Sequence, residues 1–428
     1  MLRTVAKRCS PGSVRLHGIA TCSSLRRFST QPIDATCDSA PTLPPVTTLS
    51  EEETMMREAA ARFTAEEVEP RVAHMDAAGL MDAELITGLF DHGFMGVEVA
   101  EEYGGAGSSF TSALLVIEEL ARSDPSVSVM VDIHNTIMNN CFTMWASPEL
   151  KDQWLPRLAT DTLGSFCLSE ASSGSDAFAL KTVATQPEGA GGDYVLSGEK
   201  MWISNSAEAG VFLVMANANP SAGYKGITCF VVPADADGLE VGPREDKLGI
   251  KASSTCPVRL DNVRVPASAV LGDVGKGYKY AIEILNEGRV GIGAQMIGLA
   301  RGALDKTLPY LHERTQFNTR IADFQGVQHQ VAQLETELEA ARLLVYNAAR
   351  RKEAGLPVVK EAAMAKLFCA QVAERTASKC VELMGGVGFT KGYGVEKFYR
   401  DAKIGAIYEG TSNIQLNTIA KLISAEYR

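Results

Sequence analysis

The sequence predicts an α+β protein in which a β domain sits between two helical ones. Three observations predict it. Runs with apolar residues at helical spacing fill residues 50–163 and return over 273–428. Between them, residues 164–272 carry short β-branched and aromatic runs cut by Gly, Asn, Asp and Pro. The 428 residues, 46% apolar, are enough for a large core and two or three domains.

The first 33 residues hold six basic side chains (Arg3, Lys7, Arg8, Arg15, Arg26, Arg27), many serines and no acid before Asp34. That composition predicts a mitochondrial presequence rather than a secretory signal, which needs a continuous apolar middle. Cleavage is expected after Phe28, within RRFS, and the destination is the mitochondrial matrix. Residues 34–49, rich in Pro and Thr, read as a linker. Removing the six positive charges takes the net charge from −11 to −17, and no block of five like charges occurs, which argues against a nucleic-acid partner. No apolar run approaches the ~20 residues of a membrane-spanning helix. The nine cysteines and six histidines show no zinc spacing, so no metal is expected.

Ser50-Glu51-Glu52-Glu53 predicts a capping box opening the first helix. ALLVIEELAR (113–122) has helical character, and YGGAG (103–107) reads as a turn between helices. In the middle block, DYVLSGEKMWIS, GVFLVMAN, GITCFVVP and CPVRLDNVRVP read as strands. In the last block, Leu338, Ala341, Leu344, Val345 and Ala348 mark one helical face that ends at Gly355, a C-cap. EAAMAKLFCAQVAERTASKCVELMGG is a second long run, and several such helices with short loops predict a bundle. No GxGxxG is present; GIGAQM fails at Met296, so a Rossmann dinucleotide fold has no support.

IYEGTSNIQ (407–415) raises the question of chemistry. Ser412 to Gln415 reads as a capping box opening a helix with Leu416, Ile419, Ala420 and Ile423 on one face. Glu409 falls just upstream, beside Gly410, which permits unusual backbone angles. Among Ile407, Tyr408 and the helix, its carboxylate would be desolvated, and desolvation raises a carboxyl pKa and makes a better base. On this stretch alone, a surface Glu favoured by the helix dipole is the simpler reading. Four other stretches change the balance. FCLSEASSGSD (166–176) is a Ser/Gly-rich loop able to hold an anion or a heteroaromatic edge. MWIS (201–204) sets an aromatic slab beside a hydroxyl. NEGR (286–289) places an Arg at a helix start. ERTQF (313–317) with Phe324-Gln325 offers Arg and Gln to a phosphate or adenine.

Taken together with GSFCLSEA, KMWIS, VFLVMAN, YKGIT, LNEGR, FQGVQHQVA, MGGVGFTK and RDAKIGAIYEGTSNIQLNTIAK, these stretches show that the chain resembles the acyl-CoA dehydrogenase family from about residue 50 to its end. The resemblance implies a helical N-terminal domain, a middle β domain and a C-terminal four-helix bundle. It also implies FAD between the last two, and short or 2-methyl-branched acyl-CoA substrates such as 2-methylbutyryl-CoA, which would give tiglyl-CoA in isoleucine and fatty-acid catabolism. Glu409 would take the α-proton while hydride leaves the β-carbon for flavin N5, and electrons would pass to electron transfer flavoprotein. Phe166, Cys167, Leu168, Ser169, Gly174, Ser175, Trp202, Ile203 and Ser204 would hold FAD from the β domain. Thr411, Ser412 and Asn413 would do so from a helix N-terminus. Arg314, Phe317, Gln325 and Glu382, Leu383, Met384, Gly385 and Gly386 would reach it from a neighbouring subunit, which implies an oligomer, mostly a homotetramer. Ser175, Tyr224, Tyr278, Asn286, Glu287, Gly288 and Arg289 would contact acyl-CoA, Arg289 answering its negative charge. Some family members carry the base just before that Arg; here the position is Gly288, and Glu287 is turned by ~100° on a helix.

Two departures stand out. Ser172 and Ser173 replace the Gly and Ala usual in the flavin loop, a steric cost if the first needs positive φ. Asn318 replaces a Gly after ERxQF, a mild change because Asn tolerates the left-handed region. An acyl-CoA oxidase, or an inactive acyl-CoA-binding protein on the same fold, are the alternatives. The C-terminal EYR lacks the peroxisomal tripeptide many such oxidases carry, and an intact Glu409 counts against the inactive one.

Overall fold

The computed structural model describes residues 45–187, 189 and 191–427. The expected presequence, its cleavage point and residues 34–44 of the linker lie outside the described residues. Helix α1 (Glu51–Phe63) begins at the capping box read from the sequence. The Glu53 N–H donates to Ser50 Oγ (3.1 Å), and the Ser50 N–H donates to Glu53 Oε2 (2.9 Å). Helices α2 (Val72–Ala78), α3 (Ala83–Asp91), α4 (Phe110–Ala121), α5 (Pro125–Asp132), α6 (Asn140–Trp145) and α7 (Pro148–Thr160) follow. Helices α4 and α5 are buried along their whole length, polar residues such as Glu118, Glu119 and Asp132 included. A π-helical segment, Ile133–Asn139, joins α5 to α6.

The chain then enters a sheet of β1 (Gly164–Cys167), β2 (Val183–Thr185), β3 (Tyr194–Ser204), β4 (Val211–Asn217), β5 (Ile227–Pro233), β6 (Leu239–Val241), β7 (Thr255–Val265) and β8 (Val270–Leu271). The order is β6-β7-β3-β2-β4-β5-β8, with β1 parallel to β4. The four runs read as strands are β3, β4, β5 and β7. Strand β1 corrects the sequence reading, which placed Phe166 and Cys167 in a loop. Gly164-Ser165 gives little β signal, and pairing with Val211–Val214 supplies the order instead.

The last region holds α8 (Gly277–Glu313), a hairpin of β9 (Thr315–Gln316) and β10 (Thr319–Arg320), α9 (Gln325–Glu353), α10 (Val359–Met384), α11 (Val395–Ala402) and α12 (Ser412–Glu426). The 37-residue α8 packs on α4, α9 and α10 and carries the core of both helical regions. NEGR therefore sits in its third turn, not at a helix start as expected. Two glycines further along α8 are places of close approach. A Cβ at Gly298 would strike the Glu118 carbonyl, and one at Gly302 the Arg122 carbonyl. Helix α9 ends as predicted, with Gly355 left-handed at φ 67°.

Candidate active site

Glu409 stands between the end of a short 3₁₀ turn, Lys403–Ala406, and the first residue of α12. Its backbone is left-handed, φ 51°, and Gly410 continues at φ 88°. A non-glycine residue there is strained. Part of the residue remains accessible, but Oε2 is buried and has no hydrogen-bond partner among the described residues. The room for it comes from Gly288 on α8. A Cβ at Gly288 would lie 2.9 Å from Glu409 Oε2 and 3.2 Å from Ile137 Cδ1. Desolvation thus comes from α8 and the π-helical segment rather than from Ile407, which is 52% exposed. It pushes the Glu409 carboxyl up to about 7, against the opposing pull of Arg289 and Lys366.

Four other groups face this carboxyl. Arg289 Nη1 donates to Asn286 Oδ1 (2.9 Å), while its Nε is buried without a partner among the described residues. Burial lowers its pKa and Glu409 opposes that. Asp132, at the end of α5, is fully buried, and its Oδ1 accepts from Thr136 Oγ1 (3.0 Å). Its Oδ2 is unpartnered among the described residues, and burial followed by the Glu409 charge drives its pKa far up. Lys366 on α10 is fully buried and donates to the Gly410 carbonyl at 2.8 Å. The Tyr408 hydroxyl hydrogen-bonds Gln295 Oε1. Glu287 is directed elsewhere: its carboxylate meets Lys352 Nζ (3.0 Å) and Asn140 Nδ2 (2.6 Å). The neighbouring carboxylate on α8 is thereby committed, and Glu409 is the one beside Gly288.

The cap of α12 differs from the sequence reading by one residue. Thr411 is the N-cap and accepts from the Ile414 N–H, so Ser412 is already helical. Gln415 does not close a capping box. Its amide is buried and donates to the carbonyls of Glu409 (3.0 Å) and Gly410 (2.9 Å). Two adjacent hydroxyl residues made the register ambiguous in the sequence. The apolar face expected on this helix is partly accessible, with Leu416 and Ile423 half exposed.

On the β side, Leu168 and Ser169 are held by their carbonyls: Lys200 Nζ donates to Leu168 (3.2 Å) and the Met201 N–H to Ser169 (2.9 Å). Glu170 accepts from Lys181 N, Thr182 N, Thr182 Oγ1 and Lys200 Nζ. Ser173 and Glu170 exchange backbone hydrogen bonds at 3.0 Å, and neither Ser172 nor Ser173 has positive φ. The steric cost considered for them is absent. Trp202 has φ 65° and is 57% exposed, beside Ser204. Strand alternation splits the expected contacts. Phe166 packs with Leu168 and Tyr278, whereas the side chains of Cys167 and Ile203 are buried together in the sheet's other core, so any ligand contact from these two is backbone only. Tyr278 joins Phe178 and Tyr224 edge-on, with centroids 6.4 and 5.1 Å away.

The remaining predicted residues lie elsewhere. Arg314, Phe317 and Gln325 follow the far end of α8, about 37 Å along the helix from Arg289. Glu382 to Gly386 end α10 at that same far end, where Met384 Sδ accepts from Thr307 Oγ1. Phe317, at the hairpin tip, is 91% exposed, and both it and Asn318 are left-handed, at φ 53° and 56°. Sequence reasoning missed Lys366 and Asp132. Neither sits in a motif, and each reaches the site only through helix packing.

The comparisons with known proteins agree along the whole folded chain. Family models match over residues 50–162 (acyl-CoA dehydrogenase, N-terminal domain), 165–263 (middle domain) and 275–424 (C-terminal domain). The short/branched chain specific acyl-CoA dehydrogenase, mitochondrial, of Rattus norvegicus is 57% identical over 383 residues, 90% of this chain and 88% of that one. Butyryl-CoA dehydrogenase from Megasphaera elsdenii superposes with a TM-score of 0.86 at 35% identity, covering 88% of this chain and 99% of that one. An acyl-CoA dehydrogenase from Bacillus anthracis, solved complexed with FAD, gives 0.83 at 30% identity, over 90% of this chain and 68% of that one.

Proposed function

Because the chain belongs to the acyl-CoA dehydrogenase family, we propose that it oxidises short and 2-methyl-branched acyl-CoA thioesters, 2-methylbutyryl-CoA in particular, with Glu409 as the base. It is an FAD-dependent enzyme. One observation carries the assignment of the base: a buried, unpartnered carboxyl oxygen set over a glycine in α8.

The residues present suit FAD. Trp202 offers an exposed indole face, Leu168 to Ser175 offer backbone groups beside it, and nothing lies within 4 Å of a Cβ at Gly174. The first N–H groups of the 15-residue α12, at Ser412 and Asn413, favour a phosphate. When bound, FAD supplies the acceptor for the hydride leaving the β-carbon. Glu409 takes the α-proton. A carboxyl near 7 is ionised enough to act at neutral pH and basic enough to pull on a weak carbon acid. Arg289 and Lys366 keep burial from silencing it. Tyr278, Tyr224 and Ser175 border the acyl-CoA entrance; Asn286 steadies Arg289, whose Nη2 is left for ligand. The far cluster of Arg314, Phe317, Gln325 and Glu382 to Gly386 cannot serve this site within one chain, so a neighbouring copy in a homotetramer supplies it. The basic, acid-free leader and a relative named as mitochondrial support the matrix as location, with electron transfer flavoprotein as electron acceptor.

Purified protein is expected to be yellow and to bleach when 2-methylbutyryl-CoA is added without oxygen. A colourless protein that still binds acyl-CoA would point to a binding module, and fast turnover with oxygen to an oxidase. A kcat/KM series over straight and branched acyl groups tests the substrate assignment; a maximum on long straight chains contradicts it.

A further inference from the structure

We propose that Lys366 is a positioning residue for the base: with Gln415 it clamps the carbonyls behind Glu409 and supplies the buried cation that keeps the carboxyl ionisable. The inference rests on the assignment of Glu409 above.

Lys366 lies on α10, 44 residues before the carbonyl it meets, and is 0% exposed. No carboxylate stands within ion-pair distance of it among the described residues; it donates instead to the Gly410 carbonyl at 2.8 Å. Burying an ammonium for one neutral acceptor is costly, and a methionine-like side chain would fill the same space more cheaply. Other buried lysines of this protein do have carboxylates: Lys200 meets Glu170 at 2.9 Å, and Lys397 meets Asp124 at 2.7 Å and Asp401 at 2.6 Å. Lys366 is committed to the peptide that follows Glu409.

That peptide needs holding. Glu409 and Gly410 are consecutive left-handed residues, and only the glycine adopts this region without cost. A Cβ on Gly410 would also stand 2.8 Å from Gln415 Nε2. The Gly410 carbonyl takes both Lys366 Nζ and Gln415 Nε2, and the Glu409 carbonyl takes Gln415 Nε2. With both carbonyls drawn toward α10 and α12, the Glu409 side chain is fixed over Gly288. The charged and titratable groups facing Glu409 are Arg289 from α8, Asp132 from α5, Lys366 from α10 and Tyr408 from its own loop. Two are cations, and both hold the Glu409 carboxyl down. Burial lowers Lys366 itself to about 8, so its charge is present where the base works.

The test compares two variants as FAD-loaded protein. In Lys366→Met, kcat falls ~10- to 100-fold with KM little changed, and the acid limb of kcat/KM moves to higher pH, because the base has lost a neighbouring cation. In Gln415→Leu the cation stays, so kcat falls while the acid limb keeps its place. Lys366→Met with wild-type kcat and an unmoved acid limb overturns the proposal. A fall in kcat with no pH shift in either variant also overturns it, by reducing Lys366 to packing. Glu409→Gln is run beside them: if that variant turns over normally, the assignment of the base fails; if it is dead while Lys366→Met is normal, only the clamp fails.

Discussion

The two walls of the site are built on opposite principles. On the β side the buried ion pair is satisfied: Glu170 accepts four hydrogen bonds, Lys200 has a carboxylate and a carbonyl, and the loop from Leu168 to Ser173 is pinned to β3. What that wall presents is shape, above all the Trp202 ring. On the helical side Glu409 Oε2, Asp132 Oδ2, Arg289 Nε and Gln415 Oε1 are all buried without a hydrogen-bond partner among the described residues. Unmet buried polarity is expensive, and four such atoms lie on the wall where the proposed reaction moves a charge. In the proposed function, recognition falls to a wall whose buried charges are paired and chemistry to one whose buried polar atoms are not.

Four substitutions put that contrast at risk, two read in stability and then two in catalysis and FAD binding, each pair from the larger effect to the smaller. Glu170→Ala has the largest, because it leaves Lys200 charged and buried with only the Leu168 carbonyl: about 3–5 kcal/mol of stability, read by denaturant unfolding, with the pH profile of any surviving activity unchanged. Glu409→Gln should do the reverse. A carboxyl raised from 4.5 to about 7 contributes stability below pH 4.5 that is lost as pH rises through 7. The variant lacks that loss, so between about pH 5.5 and pH 8 it should gain about 2 kcal/mol on the wild type in paired melts. A flat difference would mean that the carboxyl is not held as described. Gly288→Ala pushes a methyl to 2.9 Å from Glu409 Oε2 and should cost about 100-fold in kcat with FAD content intact. Trp202→Ala is the mildest, weakening FAD about tenfold through lost stacking and leaving the acid limb where it was. If Trp202→Ala moved the acid limb, or Gly288→Ala emptied the protein of FAD, the division between the walls would fail.

The same division governs what the sequence revealed. The β wall is local, so its strands and its loop motif were readable from consecutive residues; β1 escaped because Gly164-Ser165 has no strand signal of its own. Glu409 became a candidate only through the family resemblance, since its own stretch also suits a surface Glu at a helix start. The groups that surround its carboxyl were not readable. Gly288 looked like a position unable to act, yet its lack of a side chain is what admits the carboxylate. Lys366 sat inside an ordinary amphipathic run. Its burial becomes visible only when α10 packs on α8 and its ammonium meets a carbonyl 44 residues on. Asp132 was likewise one residue in an apolar stretch. The cap at Thr411 rather than Ser412 was beyond sequence, since either hydroxyl can start the helix and the strained peptide before it chooses.

The role of Glu409 is tested most directly by anaerobic mixing of 2-methylbutyryl-CoA with FAD-loaded Glu409→Gln. The variant is expected to stay yellow and to bind the thioester without bleaching, while the wild type bleaches with an acid limb near pH 7. Bleaching of the variant at a rate close to that of the wild type would contradict this and move the base to another residue.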